Sequence, residues 1–259
     1  MKGKKIRCGR GLGDALYLQS VARHLIEKGE YLDICSNWND VFIPLKGKCD
    51  ISPFTREKID IVAHYSQRKA YDTKQFDDCC IQAGIKEKVD LRIDWEIQDK
   101  HFVRKFKGDK SILLVLIYRL PMDRADGFAK ELLPDFNVMQ GIINQFKDTH
   151  KVILCGSGTS LMDYKGIDVD MSNGTSVSQL IDLASISSVM LGYCSFFVPL
   201  AESLNKNALF VWSNKGLKSK TDYIRRITPE KILYKNTSRF VIDNWTEEKI
   251  NEVVSGFIK

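Results

Sequence analysis

The stretch KKIRCGRGLGDALYLQSVARHLIEKG, residues 4–29, decides the fold of this chain. Residues 4–8 predict a short buried strand, and a glycine-rich turn follows it. After the turn, apolar side chains recur at helical spacing at Leu16, Val21, Leu25 and Ile26. Gly29 is placed to end that helix, and residues 31–35 predict a second strand. This order of strand, helix and strand predicts a βαβ unit with a parallel sheet.

The same alternation continues along the chain. Further strands are predicted at residues 59–63, 91–93, 112–117, 151–155, 189–191 and 208–212. Helices are predicted at residues 73–83, 139–146, 176–184 and 198–204, with a final amphipathic helix capped by Thr246. Ser176 and Gln179 have the spacing of a capping box. The polar stretch 96–110 divides the pattern, so we predict an α/β protein of two Rossmann-like domains, residues 1–106 and 107–259.

The composition excludes several classes of protein. Of the 259 residues, 44% are hydrophobic and 28% charged, which is typical of a folded chain and not of a disordered one. No apolar run approaches the roughly 18–20 residues of a membrane span, and the basic start lacks the apolar core of a signal peptide. The seven cysteines include no CxxC pair, which favours reduced thiols in a cytoplasm over disulfides or a zinc site.

The net charge of +6 is concentrated in one segment. Residues 206–239 contain nine basic and two acidic residues, whereas the rest of the chain is close to neutral. Four aromatic residues are interleaved with these charges, Phe210, Trp212, Tyr223 and Tyr234. Such a basic segment is typical of a surface that binds a polyanion. The other interpretation is a lysine-rich face that contacts only solvent.

The turn GRGLGD, residues 9–14, is the sharpest local feature. Glycines allow a tight turn and the close approach of another group, and a helix N-terminus offers unpaired N–H groups to an anion. The pattern is not the GxGxxG dinucleotide fingerprint, and no acidic residue ends the second predicted strand to hold a ribose. Asp14 is then either a helix cap or a carboxylate placed to remove a proton from an acceptor hydroxyl.

Other chemistries have little support in the sequence. The four histidines show no paired spacing, and the DVD triplet at 168–170 matches a metal–nucleotide pattern that is short enough to recur by chance. Ser157 lacks the GxSxG elbow of a serine hydrolase, and there is no Walker A lysine motif. We therefore predict no metal ligands and no resident cofactor.

Two stretches resemble glycosyltransferases of the heptosyltransferase-like family. The opening RCGRGLGDALYLQSVARHLIEKG, residues 7–29, is similar to the family's G-x-x-GD-x-L turn and the helix after it. Residues 169–212 resemble the family's C-terminal half, where a G-x-[ST]-x-x-[EQ]-L helix precedes a strand ending in Gly, an Asp-Ser-Gly loop and an Ala-rich helix. The two stretches occur in the family's order and cover about a quarter of the chain.

The resemblance implies a GT-B architecture, two Rossmann-like domains facing across a cleft, with the C-terminal helix packing back on the N-terminal domain. Family members are typically metal-independent, inverting enzymes with an aspartate base in the N-terminal domain, and Asp14 matches that position. Ser195 matches the hydroxyl of the donor loop. Cys194, Phe196 and Pro199 replace the family's Asp, Gly and His, which implies different contacts to the donor.

A nucleotide-sugar donor leaves behind a diphosphate, so the site needs groups that stabilise negative charge. The residues predicted to bind the donor are Arg119, Arg124, Lys130, Gly156, Ser157, Ser195 and Glu202. Helix N-termini after Gly156 and Ser195 are suited to the diphosphate. Glu202 is either a ligand of the ribose or an exposed helix carboxylate. The residues predicted to bind the acceptor are Arg10, Gly11, Lys218, Lys220, Arg225 and Arg226.

Three functions stay open on the sequence. The preferred one is transfer of a sugar to a hydroxymethylated base in DNA, as in compact phage-type glycosyltransferases of the GT-B plan, because the basic segment suits DNA. The second is transfer to lipopolysaccharide or another cell-surface saccharide, which the resemblance favours. The third is a non-catalytic nucleotide- or DNA-binding protein, which the departures at Cys194, Phe196 and Pro199 suggest.

Overall fold

The computed structural model describes residues 3–65, 73–116, 133–156, 163–218, 225 and 227–258. These residues form two parallel sheets, each covered by helices. The strands of the first sheet end at residue 62 and those of the second begin at residue 111. The domain boundary between residues 106 and 107 stays a prediction. Within the described ranges, no helix has the length and apolarity to cross a membrane.

The first sheet has the strand order β3-β2-β1-β4, and each neighbouring pair is parallel. Its strands are β1 (Lys4–Arg7), β2 (Leu32–Cys35), β3 (Asp50–Ser52) and β4 (Ile61–Val62). Helix α1 (Leu12–Glu27) connects β1 to β2 and buries Leu16, Leu18 and Val21. The βαβ unit predicted from residues 4–29 is therefore confirmed.

The rest of the first half differs from the prediction in several places. Strand β3 and the 3-10 helix Asn39–Leu45 were not predicted, because neither has a long periodic pattern. A strand at residues 91–93 was predicted wrongly, since this segment lies outside both sheets. Its alternating apolar side chains are buried in the core, and the Ile93 N–H donates to the carbonyl of Ser203 at 3.0 Å. Helices α2 (Gln75–Gln82) and α3 (Lys100–Arg104) flank this segment.

The second sheet has the strand order β10-β9-β8-β5-β6-β7 and is also parallel. Its strands are β5 (Ser111–Leu116), β6 (His150–Cys155), β7 (Val169–Asp170), β8 (Val189–Tyr193), β9 (Asn207–Trp212) and β10 (Ser238–Ile242). The four central strands are buried almost throughout, as a parallel sheet covered on both faces requires.

The described helices of the second half are α4 (Phe136–Phe146), α5 (Val177–Ile186), α6 (Phe197–Ser203), α7 (Asn214–Leu217), α8 (Pro229–Ile232) and α9 (Glu247–Ser255). The capping box predicted before α5 is confirmed. The Gln179 N–H donates to Ser176 Oγ at 3.2 Å, and the Ser176 N–H donates to Gln179 Oε1 at 3.1 Å. The predicted cap of α9 is confirmed as well, because the Lys249 N–H donates to Thr246 Oγ1 at 3.4 Å.

Among the described residues, the C-terminal helix packs on the second half and not on the first, so that expectation is wrong. Ile250 and Val254 of α9 lie in a core cluster with Val241 of β10 and side chains of α4. At the surface, the amide of Gln145 on α4 donates to Asn251 Oδ1 at 2.6 Å. The apolar stripe of α9 is therefore buried against its own sheet.

The two halves are joined by a buried carboxylate and by direct helix packing. Asp182 on α5 is fully buried and accepts hydrogen bonds from Trp95 Nε1 at 2.7 Å, from the Gln98 N–H at 2.9 Å and from the Asp99 N–H at 2.8 Å. Helix α1 of the first half packs against α6 of the second. These contacts fix the carboxyl ends of β1 and β8 beside each other.

Candidate functional site

A cavity of about 380 Å³ opens where the first turn of α1 meets the turn before α6. Its lining comes from both halves of the chain and comprises Gly11, Leu12, Gly13, Asp14, Tyr17, Tyr65, Gln75, Cys194, Ser195, Phe196, Pro199, Ile227 and Ile232. Ligands of open parallel sheets bind at the carboxyl ends of the strands, and this cavity lies at that end of both sheets. It is therefore the candidate site.

Asp14 supplies the carboxylate of the first-half wall. Its Oδ2 accepts the Gly11 N–H at 2.9 Å, so the predicted helix cap exists, and 15% of its side chain is still exposed to the cavity. Burial raises the pKa of Asp14, while the Gly11 hydrogen bond and the nearby His64 act in the opposite direction. Capping the helix and facing the cavity are thus compatible in one side chain.

His64 and Cys8 lie behind Asp14 and were not predicted as site residues. His64 Nδ1 is 3.8 Å from Asp14 Oδ1 and 3.5 Å from Cys8 Sγ. The contact with Cys8 raises the pKa of His64, and Asp14 adds to this rise against the opposing effect of burial. Cys8 follows β1 and His64 follows β4, which are hydrogen-bonded neighbours in the sheet. Cys8 and His64 are 56 positions apart in the chain, so their contact can be recognised only once β1 is known to pair with β4.

The second-half wall is mostly apolar. Phe196 and Pro199, which replace a Gly and a His of the family pattern, both line the cavity. Burial raises the pKa of the Cys194 thiol to about 12, so it stays uncharged at neutral pH and does not reproduce the family's Asp. Ser195 Oγ accepts the Phe197 N–H at 3.2 Å at the start of α6.

Glu202 is not among the residues that line the cavity, and it is not an exposed helix carboxylate either; its role as a ribose ligand stays a prediction. Its side chain is completely buried, and Oε1 accepts the N–H groups of Tyr234 and Lys235, each at 2.8 Å. Burial raises the pKa of Glu202 to about 7, although both hydrogen bonds oppose the rise. The carboxyl group therefore holds the segment before β10 onto α6.

In the described part of the basic segment, some side chains bind within the protein, while Lys215, Lys218, Arg225 and Arg239 are exposed. Lys206 Nζ donates to the carbonyls of Ser185 and Ser187, and Lys235 Nζ is 3.5 Å from Asp90 Oδ1. Two of the aromatic side chains expected to be interleaved with the charges, Phe210 and Trp212, are buried in the core. Side chains in the core cannot stack on exposed bases.

The other predicted residues are spread over several places. Gly11 lines the cavity, while the exposed Arg10 guanidinium stacks over Phe54 at 5.0 Å. Gly156 ends β6 with a φ of +127°, and Lys218 and Arg225 are exposed. Six predicted residues lie outside the described ranges: Arg119, Arg124, Lys130, Ser157, Lys220 and Arg226.

Comparison with solved structures shows the same fold in glycosyltransferases. E. coli ADP-heptose lipopolysaccharide heptosyltransferase II has a TM-score of 0.64 at 11% identity over 98% of each chain. A glycosyl transferase of family 9 from Veillonella parvula has a TM-score of 0.60 at 11% identity over 98% of this chain and 90% of its own. E. coli heptosyltransferase WaaC, with ADP-2-deoxy-2-fluoro heptose, has a TM-score of 0.59 at 9% identity over 98% of each chain.

The predicted GT-B architecture is therefore confirmed. No family model and no curated protein matches the sequence. At these sequence identities the structural likeness shows the fold alone, so the function has to be argued from the site.

Proposed function

We propose that the protein is a glycosyltransferase that moves a sugar from a nucleotide-diphosphate donor to an acceptor hydroxyl. The observation that carries this proposal is the position of Asp14, a partly exposed carboxylate in a cavity between the two halves of a GT-B fold. The structural neighbours include a heptosyltransferase bound to an ADP-sugar analogue, which supports a nucleotide sugar as the donor.

In the proposed reaction Asp14 acts as the general base. The acceptor oxygen attacks the anomeric carbon, the bond from that carbon to the donor phosphate breaks, and the nucleoside diphosphate leaves with the electron pair. The hydroxyl proton passes to Asp14, whose pKa is raised by burial. A raised pKa strengthens the carboxylate as a base, and its 15% exposure leaves room for an acceptor.

The second half is the proposed donor side. Residues 107–259 would hold the nucleotide sugar, with Ser195 at the cavity and the predicted basic residues Arg119, Arg124 and Lys130 near the diphosphate. The first half, residues 1–106, would hold the acceptor beside Gly11 and Asp14. An apolar wall of Phe196 and Pro199 suits the exclusion of water from the reacting carbon better than it suits hydrogen bonding to phosphate.

We infer that the acceptor is a saccharide of the cell surface rather than a base in DNA. The neighbours include an enzyme named for lipopolysaccharide heptose transfer, and none of those compared is named for DNA. In addition, the buried Phe210 and Trp212 remove half of the aromatic side chains on which the DNA interpretation depended.

The decisive experiment is turnover of Asp14→Asn with a panel of nucleotide sugars. Asparagine keeps an oxygen to accept the Gly11 N–H, so the helix cap and the fold should survive. We expect donor binding to be kept and turnover to fall by about 10²–10⁴-fold, the usual contribution of a general base. Asp109→Asn, an exposed carboxylate before β5, is the matched control and should leave turnover unchanged.

The acceptor is tested in the same assay with truncated lipopolysaccharide cores and with hydroxymethylated duplex DNA in separate arms. Transfer to DNA alone would contradict the saccharide acceptor. Unchanged turnover in Asp14→Asn would remove the base assignment. Binding of donors without transfer or hydrolysis in any arm would favour the non-catalytic binding protein.

A further inference from the structure

We propose that Cys8, His64 and Asp14 form a binding site for a thiophilic divalent cation such as Zn²⁺. A thiol, an imidazole and a carboxylate converge here from three separate elements, and their ligand atoms all lie within 4.8 Å of one another. Among the described residues, no other group of three such side chains converges in this way.

Two of the three separations between the ligand atoms are close to those of tetrahedral coordination. Zinc binds sulfur at about 2.3 Å, nitrogen at about 2.0 Å and carboxylate oxygen at about 2.1 Å, which separates S from N by about 3.5 Å and N from O by about 3.4 Å. The distance from Cys8 Sγ to His64 Nδ1 is 3.5 Å, and that from His64 Nδ1 to Asp14 Oδ1 is 3.8 Å. The third separation, from Cys8 Sγ to the Asp14 carboxylate, is within 4.8 Å, so the carboxylate has to turn toward the sulfur to close the site.

The fold holds the ligands in place before an ion binds. Cys8 follows β1, His64 follows the neighbouring strand β4, and Asp14 lies in the first turn of α1. Cys8 is fully buried, so its side chain has little freedom to lose on binding. A preformed set of this kind needs little ordering, which favours tight binding.

The donor set of the cluster suits a thiophilic cation, because a sulfur, a ring nitrogen and a carboxylate oxygen lie within 4.8 Å of one another. Thiolate is the form that binds metal, and binding would release the thiol proton to solvent.

The fourth coordination position would open toward the cavity. Cys8 closes the site from the core side with 0% exposure, whereas Asp14 and His64 are 15% and 27% exposed. Three protein ligands and one open position are typical of zinc sites that bind water or a substrate oxygen. The ion would thus enter from the same cavity as the acceptor.

Binding has a consequence that rests on the proposed function. A metal ion on Asp14 Oδ1 would occupy the carboxylate that is proposed to receive the acceptor proton. We therefore expect Zn²⁺ to inhibit sugar transfer, and a chelator to restore it. Zinc that binds without slowing transfer would contradict this competition and leave the binding site itself intact.

The site is tested without any sugar substrate by titrating the reduced, metal-free protein with Co²⁺. Cobalt ligated by a thiolate gives a charge-transfer absorption band, which Zn²⁺ should remove by displacement at a stoichiometry of one ion per chain. Cys8→Ser should abolish the band, and His64→Ala should weaken Co²⁺ binding by at least about 10-fold. Cys194→Ser is the matched control, since this thiol lines the same cavity from the opposite wall.

Circular dichroism and thermal unfolding of each metal-free variant establish that the fold is kept. Should Cys8→Ser fail to fold, the partly exposed His64→Ala still decides the question. Three results would overturn the site: no thiolate band in the parent protein, a band that disappears with Cys194 instead of Cys8, or equal Co²⁺ affinity of His64→Ala and the parent. Failure of the sugar-transfer assay has no bearing on any of them.

Discussion

Two turns that follow parallel strands meet at the cavity, and they differ in chemistry. The turn after β1 is followed by α1 with Asp14, and it has Cys8 and His64 behind it. The turn after β8 is followed by α6 and presents Phe196, Pro199 and an uncharged Cys194. The first turn therefore holds the titratable groups, and the second forms an apolar wall opposite them. Both turns connect a strand to a helix, but only the turn after β1 brings titratable side chains to the cavity, whereas the turn after β8 contributes apolar packing.

Each of the two helices also carries one carboxyl group whose pKa is raised by burial. Asp14 on α1 is partly open to the cavity, whereas Glu202 on α6 is enclosed. Glu202 accepts two backbone N–H groups through Oε1, and its Oε2 has no hydrogen-bond partner among the described residues. Exposure, and not the direction of the pKa shift, separates the proposed base from the structural carboxyl.

After Asp14→Asn, the largest effect is expected from Gly9→Ala in the first turn. A β-carbon at this position would lie 2.1 Å from Asp14 Oδ2, so the carboxylate would have to move. Misplacement of a reacting group by about 1 Å lowers turnover by about 10²-fold, and loss of the cap costs about 1 kcal/mol. Initial rates with saturating donor measure the first effect and urea unfolding the second.

Gly108→Ala is the control for that variant, because an added β-carbon there meets nothing within 4 Å. Its turnover should equal that of the parent protein. A Gly9→Ala protein with full turnover would show that the position of Asp14 in the first turn does not matter for the reaction.

The matching change in the second turn should affect stability instead. A β-carbon at Gly192 would lie 2.7 Å from Cδ1 of Phe197, whose ring is fully buried. Overpacking of this kind costs about 1–3 kcal/mol, so we expect Gly192→Ala to lower the free energy of unfolding by about 2 kcal/mol. Urea denaturation of the variant and the parent protein measures this difference in the free energy of unfolding.

Gly141→Ala in α4 provides the contrast, since its β-carbon meets nothing within 4 Å and alanine favours a helix by about 1 kcal/mol. That variant should be more stable than the parent protein. If Gly192→Ala lost turnover while keeping its stability, the division between a reactive turn and a packing turn would be wrong.

The difference between the turns was only partly visible in the sequence. Most of the described strands, α1 and the capping box at Ser176 follow from local periodicity and spacing, whereas the strands β3, β7 and β10 were not predicted. Asp14 could be identified because turn and helix are adjacent in the chain. The contact between Cys8 and His64 could not be predicted from the sequence, because it depends on the pairing of β1 with β4, a strand of only two residues. Burial of Glu202 depends on Tyr234, which is 32 positions away.

A third expected effect concerns the pH dependence of stability through Glu202. Its pKa is raised from 4.5 to about 7 in the folded protein, so the folded state binds more protons than the unfolded state between these values. The stabilising contribution of the protonated carboxyl is complete below about pH 4.5 and is lost as the pH rises through about 7. The parent protein should therefore lose stability across this window, at about 1 kcal/mol per pH unit where the loss is steepest.

Glu202→Gln removes this titration while its amide oxygen can still accept the N–H groups of Tyr234 and Lys235. The difference in free energy of unfolding between Glu202→Gln and the parent should thus shift in favour of the variant as the pH rises from 4.5 to 7. Glu252→Gln, on the exposed face of α9, should show no such shift, and it controls for the loss of a negative charge. Parallel pH profiles for Glu202→Gln and the parent would mean that Glu202 is solvated, and the second helix would then carry an accessible carboxyl as the first one does.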